Sequence, residues 1–247
     1  MSEAGRITAL WRYPMKSFLG ERLDEAAFGP NGLDGDRRFA LRDAASGHVL
    51  SAKKFSMLLR AYAEITNDGV TLKLPDGSTV GVDDPDAPGV LSSWLGREVQ
   101  IAEAPGGTDR PTIEGDNGLF RGRPGGFFDS SAVHIVTTST LAALGRLHPA
   151  GRFDPRRFRP NVVLETPNDG FVEESWVGST LRLGDVELEI TKPCERCVMT
   201  THAQEDLPVD RDILRTVNAQ NDEIVGVYGI VRREGTARVG DGAELIA

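Results

Sequence analysis

The chain has 247 residues, of which 39% are hydrophobic and 26% are charged, and this length allows one large domain or two small domains with a sizeable core. Its 28 Lys and Arg residues against 37 Asp and Glu residues give a net charge of −9, which argues against a general nucleic-acid or anionic-membrane binder. Two cysteines are too few for a disulfide-stapled secreted scaffold, and no stretch approaches the ~18 apolar residues of a membrane-spanning helix. Because the first residues also lack the apolar core of a secretory signal, we expect a cytoplasmic protein.

Short strands and glycine-containing turns fill the first hundred residues. The clearest turns are Asn67-Asp68-Gly69 and Pro75-Asp76-Gly77, which are typical of tight hairpins. The strands predicted from alternation in this half are 6–13, 38–42, 48–50, 61–66, 70–74, 78–82 and 98–103, with a short helix over 90–95.

The stretch 105–126 is polar and contains seven glycines and three prolines. It is too long for a tight connection inside a compact domain. We therefore interpret it as a domain boundary or as a loop over a site, where it would border the substrate entrance.

The second half of the chain is also mainly strand. Predicted strands are 133–136, 161–165, 180–183, 185–191, 198–202, 224–231 and 236–239, and predicted helices are 140–147, capped by Thr138 or Ser139, and 210–218. Together the elements predict a mainly-β fold, a β-barrel with a few short helices, preceded by a smaller β domain.

The sharpest motif is the run 192–197, Lys-Pro-Cys-Glu-Arg-Cys, which holds both cysteines. Four interpretations compete. Cys194 and Cys197 could be buried core thiols, a zinc site with His202 that lacks a fourth ligand, or a redox pair without the βαβ context that such a motif needs. The fourth is a single thiolate that binds a soft metal, favoured by the neighbouring cations Arg196 and Lys192.

Four basic clusters stand out in this acidic chain: Lys16-Ser17, Arg37-Arg38, Lys53-Lys54 and 156–159. Each cluster alone is most simply explained as solvated surface charge. Together with the hydroxyls of Ser17 and Ser51, however, they offer the charge-assisted donors that a phosphate group requires. The glycine-rich loops of nucleotide-binding proteins are absent from the sequence.

Other polar candidates have simpler explanations. His134 lies within an apolar strand and is expected to have a core or surface role. Glu173 and Glu174 lie in a polar loop before Trp176, with no second carboxylate placed for glycosidase chemistry.

Four motifs in order resemble those of MOSC proteins, a family named after the C-terminal domain of molybdenum cofactor sulfurase. They are Tyr13-Pro14-Met15-Lys16-Ser17, Gly35-Asp36-Arg37-Arg38, the run Arg157-Phe158-Arg159-Pro160-Asn161-Val162-Val163, and Cys194-Glu195-Arg196-Cys197-Val198-Met199-Thr200-Thr201. The resemblance covers nearly the whole chain and is strongest to the branch with an added N-terminal β-barrel domain, which includes the amidoxime-reducing components. It implies an N-terminal domain over 1–104, a linker or loop over 105–126, and a MOSC domain over 127–247. The first strand and the Lys16-Ser17 segment could also pack with the second domain.

The resemblance implies a molybdenum cofactor of the molybdopterin type, with Cys197 as the metal ligand and catalytic residue. The family positions that contact the pterin or its phosphate correspond to Lys16, Ser17, Arg37, Ser130, Ser131, Arg159, Asn161, Glu195, Arg196 and Tyr228.

The implied reaction is reduction of an N-hydroxylated compound or an N-oxide. The chain has no spare cysteines for an iron–sulfur cluster, so the electrons would come from a separate donor, a ferredoxin or a flavin reductase. Neither a nucleic acid nor a membrane is expected as a partner. The alternative is a carrier of the cofactor, or of sulfur on Cys197, without turnover of its own.

Overall fold

A computed structural model of the chain describes residues 2–104, 110–115, 118–122 and 125–246. It is mainly β, with four short α-helices in the described part. The first strands are β1 Ser2–Arg12, β2 Glu21–Leu23, β3 Glu25–Gly29, β4 Gly32–Leu33, β5 Phe39–Asp43, β6 Tyr62–Thr66, β7 Gly69–Lys73, β8 Thr79–Gly81 and β9 Val99–Glu103. The later strands are β10 Thr112–Gly115, β11 Gly118–Arg121, β12 Val133–Thr137, β13 Val162–Glu165, β14 Thr180–Leu183, β15 Val186–Glu195, β16 Ile224–Arg233, β17 Gly235–Arg238 and β18 Gly242–Ile246.

Helices are few and short. The α-helices are α1 Ala87–Leu95, α2 Thr138–Leu147, α3 Pro155–Phe158 and α4 Asp212–Asn221, and 3-10 helices cover Ser56–Arg60, Val172–Trp176 and Val198–Thr201. No described helix has both the length and the apolar character needed to cross a membrane.

The chain folds into two compact units that are not continuous in sequence. Unit 1 comprises Met1–Trp11, Arg22–Asp34 and Ser131–Ala247, and unit 2 comprises Arg12–Glu21 and Gly35–Ser130. The strands β1 and β3 thus pack with the second half of the chain. The two continuous domains expected from the sequence, 1–104 and 127–247, stay a prediction.

Unit 1 contains a closed barrel of seven strands. Around the barrel the order is β13, β12, β16, β15, β14, β18 and β1, and pairing of β1 with β13 closes it. All neighbours are antiparallel except β12 and β13, which run parallel. Alternate residues of β14 and β15, such as Leu181 and Leu188, point into a core of aliphatic side chains. The expected mainly-β barrel fold is confirmed.

Unit 2 is made of smaller sheets. β6, β7 and β8 form a meander whose two turns contain Gly69 and Gly77, both with positive φ. β5 pairs with β9 from Phe39↔Glu103 to Asp43↔Val99. These strands match the sequence predictions for this region, because glycine turn signals separate clearly alternating segments.

Some local predictions are wrong. Residues 198–201 form a 3-10 helix rather than a strand, because Thr200 N and Thr200 Oγ1 both donate to the Cys197 carbonyl, at 3.1 and 3.0 Å. The cap of α2 is Thr137, whose side chain accepts from Thr140 N, rather than Thr138 or Ser139. The predicted strand 48–50 is reduced to bridges at Val49.

The predicted loop 105–126 contains a β-hairpin. β10 and β11 pair from Thr112↔Arg121 to Gly115↔Gly118, and Ile113 is buried with Val49 and Phe127. Phe120 of β11 packs against the same cluster, and the glycine-rich composition of the stretch gave no sign of these apolar contacts. Residues 105–109, 116–117 and 123–124 of the predicted loop lie outside the described residues.

Candidate functional site

The two cysteines lie at the end of β15 in different surroundings. Cys194 is buried, whereas Cys197 is half-buried and immediately precedes the 3-10 helix Val198–Thr201. The pairing of β15 with β16 shifts register between Pro193 and Glu195, so the strand is irregular just before Cys197. This irregular end leaves one thiol in the core and the other accessible.

Arg196 lies between the two cysteines and contacts three groups. Its Nη1 donates to Cys194 Sγ at 2.6 Å, its Nη2 donates to the Phe158 carbonyl at 2.8 Å, and its guanidinium lies 5.8 Å from the centre of the Phe158 ring. Its Nε is buried and has no hydrogen-bond partner among the described residues. One donor of this cation is therefore available to a bound group.

The ionisation of Arg196 depends on opposing effects. Burial lowers its pKa, but the neighbouring Cys194, Tyr228 and Cys197 raise it, and the net pKa is above the ordinary value for arginine. The guanidinium therefore stays charged beside Cys197 and favours an anionic ligand there.

Arg159 ends the short helix α3. Asp154 caps the helix by accepting from Arg156 N, and Pro155 occupies its first turn. Arg159 itself is buried and left-handed, with φ 54° and ψ 50°, because Pro160 disfavours a continued right-handed helix. The helix therefore ends at Arg159, the residue before Pro160.

Two of the predicted cofactor residues in unit 1 make hydrogen bonds between barrel strands. Asn161 Oδ1 accepts from His134 N at 3.1 Å, and its Nδ2 donates to the Trp11 carbonyl at 3.3 Å. Ser131 Oγ donates to the Gly229 carbonyl at 3.3 Å. Both residues are buried, so each stabilises the barrel in addition to any contact with a cofactor.

Tyr228 and Glu195 lie on neighbouring strands of the barrel. Tyr228 in β16 is half-buried, with its ring centre 5.6 Å from that of His134 and 5.8 Å from Lys192 Nζ. Glu195 is exposed and pairs with Ile224 in the β15–β16 ladder. Both Cys197 and Tyr228 therefore lie close enough to Arg196 to interact with its charge.

Unit 2 holds a second group of predicted residues around Asp129. Lys16 Nζ donates to the Phe127 carbonyl at 3.0 Å and forms an ion pair with Asp129, which also pairs with Lys53 Nζ at 3.0 Å. Burial lowers the pKa of Lys16, and the nearby cations Lys53 and Arg37 lower it further, against the opposing effect of Asp129. Burial alone would raise the pKa of Asp129, but Lys16 and Lys53 hold it well below its ordinary value.

Ser17 and Arg37 are fixed in unusual backbone conformations. Their φ angles are 68° and 51°, in the left-handed region that non-glycine residues rarely adopt. Ser17 Oγ accepts from Ala52 N at 2.9 Å, whereas Arg37 forms an ion pair with Asp36 and lies 4.8 Å from the centre of the Tyr13 ring. Ser130, also in unit 2, is half-buried.

Sequence reasoning missed Asp129, and it named Lys53 only as part of a basic cluster. A single aspartate after a glycine-rich stretch carries no periodic signal, and pairing between Lys16 and Asp129 spans 113 positions. Only the fold of unit 2 brings these charges together.

The zinc interpretation of the cysteine motif gains no support. Among the described residues, the ligand atoms that gather within 4.8 Å of one another belong to His148, Asp210 and Asp212, a group that includes neither cysteine. A redox pair of the thioredoxin type is also disfavoured, because the motif joins a strand to a 3-10 helix rather than lying in a βαβ unit. A half-buried thiol beside a charged guanidinium with an unpartnered Nε fits an anionic group that carries a soft metal.

The fold and the site define a mainly-β protein whose closed barrel presents a thiol among cations. Two family descriptions match this chain: "MOSC N-terminal beta barrel domain" over residues 4–95 and "MOSC domain" over residues 122–244. The chain belongs to the MOSC family and carries both domains.

The similarity to two amidoxime-reducing components extends over almost the whole chain. Mitochondrial amidoxime reducing component 2 of Rattus norvegicus is 24% identical over 98% of this chain and 83% of its own length. Mitochondrial amidoxime-reducing component 1 of Homo sapiens is 26% identical over 100% of this chain and 84% of its own length. The crystal structure of the YUAD protein from Bacillus subtilis superposes with a TM-score of 0.54 at 15% identity, covering 98% of this chain and 94% of that chain, which shows a shared fold.

Proposed function

We propose that this protein is a molybdenum-cofactor-dependent oxidoreductase that reduces N-hydroxylated or N-oxide small molecules with electrons from a separate donor. Membership of the MOSC family and similarity to amidoxime-reducing components support this proposal. The observation that carries it is the half-buried thiol of Cys197, next to the charged Arg196 whose Nε lacks a partner among the described residues.

Each residue of unit 1 has a distinct role in the proposal. Cys197 Sγ would hold the metal, and the charged guanidinium of Arg196 would interact with the anionic cofactor beside it. Arg159 and Tyr228 contact the organic part of the cofactor, while Asn161 and Ser131 keep the barrel strands that carry the site in register. When bound, the molybdenum cofactor supplies two-electron oxygen-atom transfer chemistry.

The roles of Lys16, Ser17 and Arg37 rest on the sequence resemblance and on the charges within unit 2. Lys16 is buried and Arg37 is half-buried, and carboxylates hold both cations in fixed positions before an anion arrives. We extend this proposed role to Ser130 and, on chain position alone, to Glu195.

The overall reaction balances with two electrons and two protons. An N–OH group gains them and becomes N–H, and the oxygen leaves as water. Because the chain has only two cysteines, the electrons are proposed to come from a separate ferredoxin or flavin reductase. We also propose that the protein works in the cytoplasm.

The test compares two serine variants of the same motif. Wild-type protein made in a host that synthesises the cofactor is analysed for molybdenum and pterin, and is assayed for reduction of an amidoxime with an artificial electron donor. Cys197→Ser is expected to lose most of the bound molybdenum and at least about 100-fold in activity, because the hydroxyl is a poor ligand for a soft metal. Cys194→Ser is the matched control and is expected to retain molybdenum, since its buried sulfur faces Arg196 and the core.

Three outcomes would contradict the proposal in different ways. Zinc without molybdenum in the wild-type protein would overturn the cofactor assignment. Bound cofactor without turnover of any N-oxygenated substrate would favour a carrier. Equal molybdenum content in Cys197→Ser and wild type would overturn the role of Cys197.

A further inference from the structure

Helix α3 contacts the chain on both sides of Cys197. Before the cysteine, the Phe158 carbonyl accepts from Arg196 Nη2 at 2.8 Å. After the cysteine, the side chain of Arg157 binds carbonyls of the segment 198–208. We propose that α3 is a clamp that fixes the orientation of Cys197 and that Arg157 is its principal positioning residue. The catalytic part of this inference rests on the proposed function, but the clamp itself does not.

The guanidinium of Arg157 is buried and is surrounded by backbone oxygens. Its Nε donates to the Arg152 carbonyl at 2.9 Å, its Nη1 to the Thr200 and His202 carbonyls at 3.1 and 3.3 Å, and its Nη2 to the Pro208 carbonyl at 2.8 Å. No ion pair of Arg157 with a carboxylate occurs within the described ranges. A buried cation in such a setting acts as a rigid cross-link, because each N–H has a fixed direction.

Thr200 transmits this contact to Cys197. Arg157 Nη1 holds the Thr200 carbonyl, while Thr200 N and Oγ1 both donate to the Cys197 carbonyl. One residue therefore separates the buried guanidinium from the backbone of the proposed metal ligand. Because the Cys197 carbonyl is bound by Thr200, and Thr200 is bound by Arg157, the backbone position of Cys197 depends on Arg157.

The rest of the segment is held by its own backbone as well as by Arg157. Gln204 and Leu207 exchange backbone hydrogen bonds at 2.9 and 2.7 Å. Both polar atoms of the Gln204 side chain, however, are buried without a hydrogen-bond partner in the described part of the chain, and Glu205 has a left-handed φ of 46°. Arg157 adds a buried cross-link to this segment through three carbonyls.

The adjacent arginines contact the same segment at its exposed surface. Arg156 pairs with Asp154, Glu205 and Asp206, and Arg152 pairs with Asp206, all with partly or largely exposed side chains. Arg152 Nη1 also donates to the Asp206 carbonyl at 2.9 Å, but this bond is exposed. Exposed ion pairs of this type contribute little to stability. Arg152 thus touches the same segment as Arg157 without a buried cross-link, which makes it a matched control.

The first test uses cofactor-free protein and compares Arg157→Lys with Arg152→Lys. Lysine keeps the positive charge but cannot bind several carbonyls at once. In Arg157→Lys we expect amide hydrogen exchange in 198–208 and alkylation of Cys197 by iodoacetamide to accelerate about tenfold or more. Cys194, which is buried, serves as the internal reference for alkylation. Arg152→Lys is expected to match the wild type in both measurements.

The second test uses protein loaded with the cofactor. In Arg157→Lys we expect kcat for amidoxime reduction to fall about 10- to 100-fold while KM changes by less than about twofold, because the ligand is misplaced but the substrate contacts remain. The electron paramagnetic resonance spectrum of the bound molybdenum should change as well. If Arg157 had a purely structural role, Arg157→Lys would lower the melting temperature but would leave the spectrum, kcat and KM of the folded enzyme unchanged.

Thr200→Val provides a second variant in case Arg157→Lys fails to fold. It removes the hydroxyl bond to the Cys197 carbonyl while keeping the side-chain size. We expect faster Cys197 alkylation with unchanged amide exchange from Val209 onward. Wild-type rates of exchange and alkylation in both variants would overturn the clamp. Absence of molybdenum in the wild type would instead overturn the proposed function and leave the results on cofactor-free protein standing.

Discussion

At the scale of single residues, three of the predicted cofactor residues have an unusual backbone conformation. Six non-glycine residues of the described chain have positive φ, and three of them are Ser17, Arg37 and Arg159. Each such conformation costs about 1–2 kcal/mol, so the surrounding structure must impose it. The other three residues with positive φ are exposed acids, so the binding roles of Ser17, Arg37 and Arg159 stay predictions.

Glu173 is a second informative residue, away from the cysteines. The sequence interpretation placed it in a polar loop, but it is buried in the 3-10 helix Val172–Trp176. Its carboxylate accepts from Thr137 Oγ1 and Thr140 Oγ1, both at 2.7 Å, and from Thr137 N at 3.3 Å. Burial raises its pKa above the ordinary 4.5, although these hydrogen bonds oppose the shift.

The raised pKa of Glu173 predicts a pH dependence of stability. Between about 4.5 and the higher pKa of the folded state, the folded protein binds more protons than the unfolded chain, so the free energy of unfolding falls as pH rises. Glu173→Gln should remove that loss, and its stability relative to wild type should increase from pH 4.5 to pH 7.5. Urea denaturation at a series of pH values measures this difference. Glu174→Gln is the control, and a wild-type pH profile in Glu173→Gln would contradict the prediction.

At the scale of elements, β16 shows how one glycine shapes a barrel strand. Gly226 has φ +82°, and a Cβ atom there would lie 2.3 Å from the Ile135 carbonyl oxygen and 2.6 Å from His134 Nε2. His134 Nε2 also lies 3.0 Å from the Val225 carbonyl, so the buried ring packs tightly against this part of β16. Glycine is therefore required two residues before Tyr228 to let β12 and β16 approach.

Replacing this glycine should destabilise the barrel. Gly226→Ala combines an unfavourable φ with three steric clashes, and we expect it to lower the free energy of unfolding by about 2–4 kcal/mol. Gly242→Ala, in β18, is the matched control, because its Cβ would meet no atom within 4 Å. Urea denaturation followed by tryptophan fluorescence compares the two variants. Equal stability of both would show that β16 adapts without strain.

At the scale of the whole molecule, the barrel of unit 1 depends on pairings between distant parts of the chain. β18 lies between β14 and β1, and β1 pairs in turn with β13. The alternation that predicted most strands did not identify β18, because Gly242–Ile246 is short and half-buried. The sequence pattern therefore did not predict this strand of the barrel.

Removing β18 should open the barrel. A chain that ends at Asp241 loses the ladders to both β14 and β1, and we expect the free energy of unfolding of unit 1 to fall by about 3 kcal/mol or more, since many backbone hydrogen bonds are lost. Amide exchange in β1 and β14 measures the opening. Glu244→Gln removes only the ion pair with Arg182 and should leave exchange there unchanged. Slow exchange in the shortened chain would contradict a closed-barrel requirement for β18.

The sequence by itself determined the mainly-β fold class, most strands and the MOSC motifs, because alternation, turn glycines and motif spacing are local properties. The choice of Cys197 over Cys194 as metal ligand rests on the family resemblance and stays a prediction. Only the tertiary structure decided that Asp129 neutralises Lys16, that Glu173 is buried, and that α3 holds both sides of Cys197. These features depend on contacts between residues separated by 33 to 113 positions. Such contacts leave no periodic trace in the chain, since they arise from the closure of the barrel and the packing of each unit.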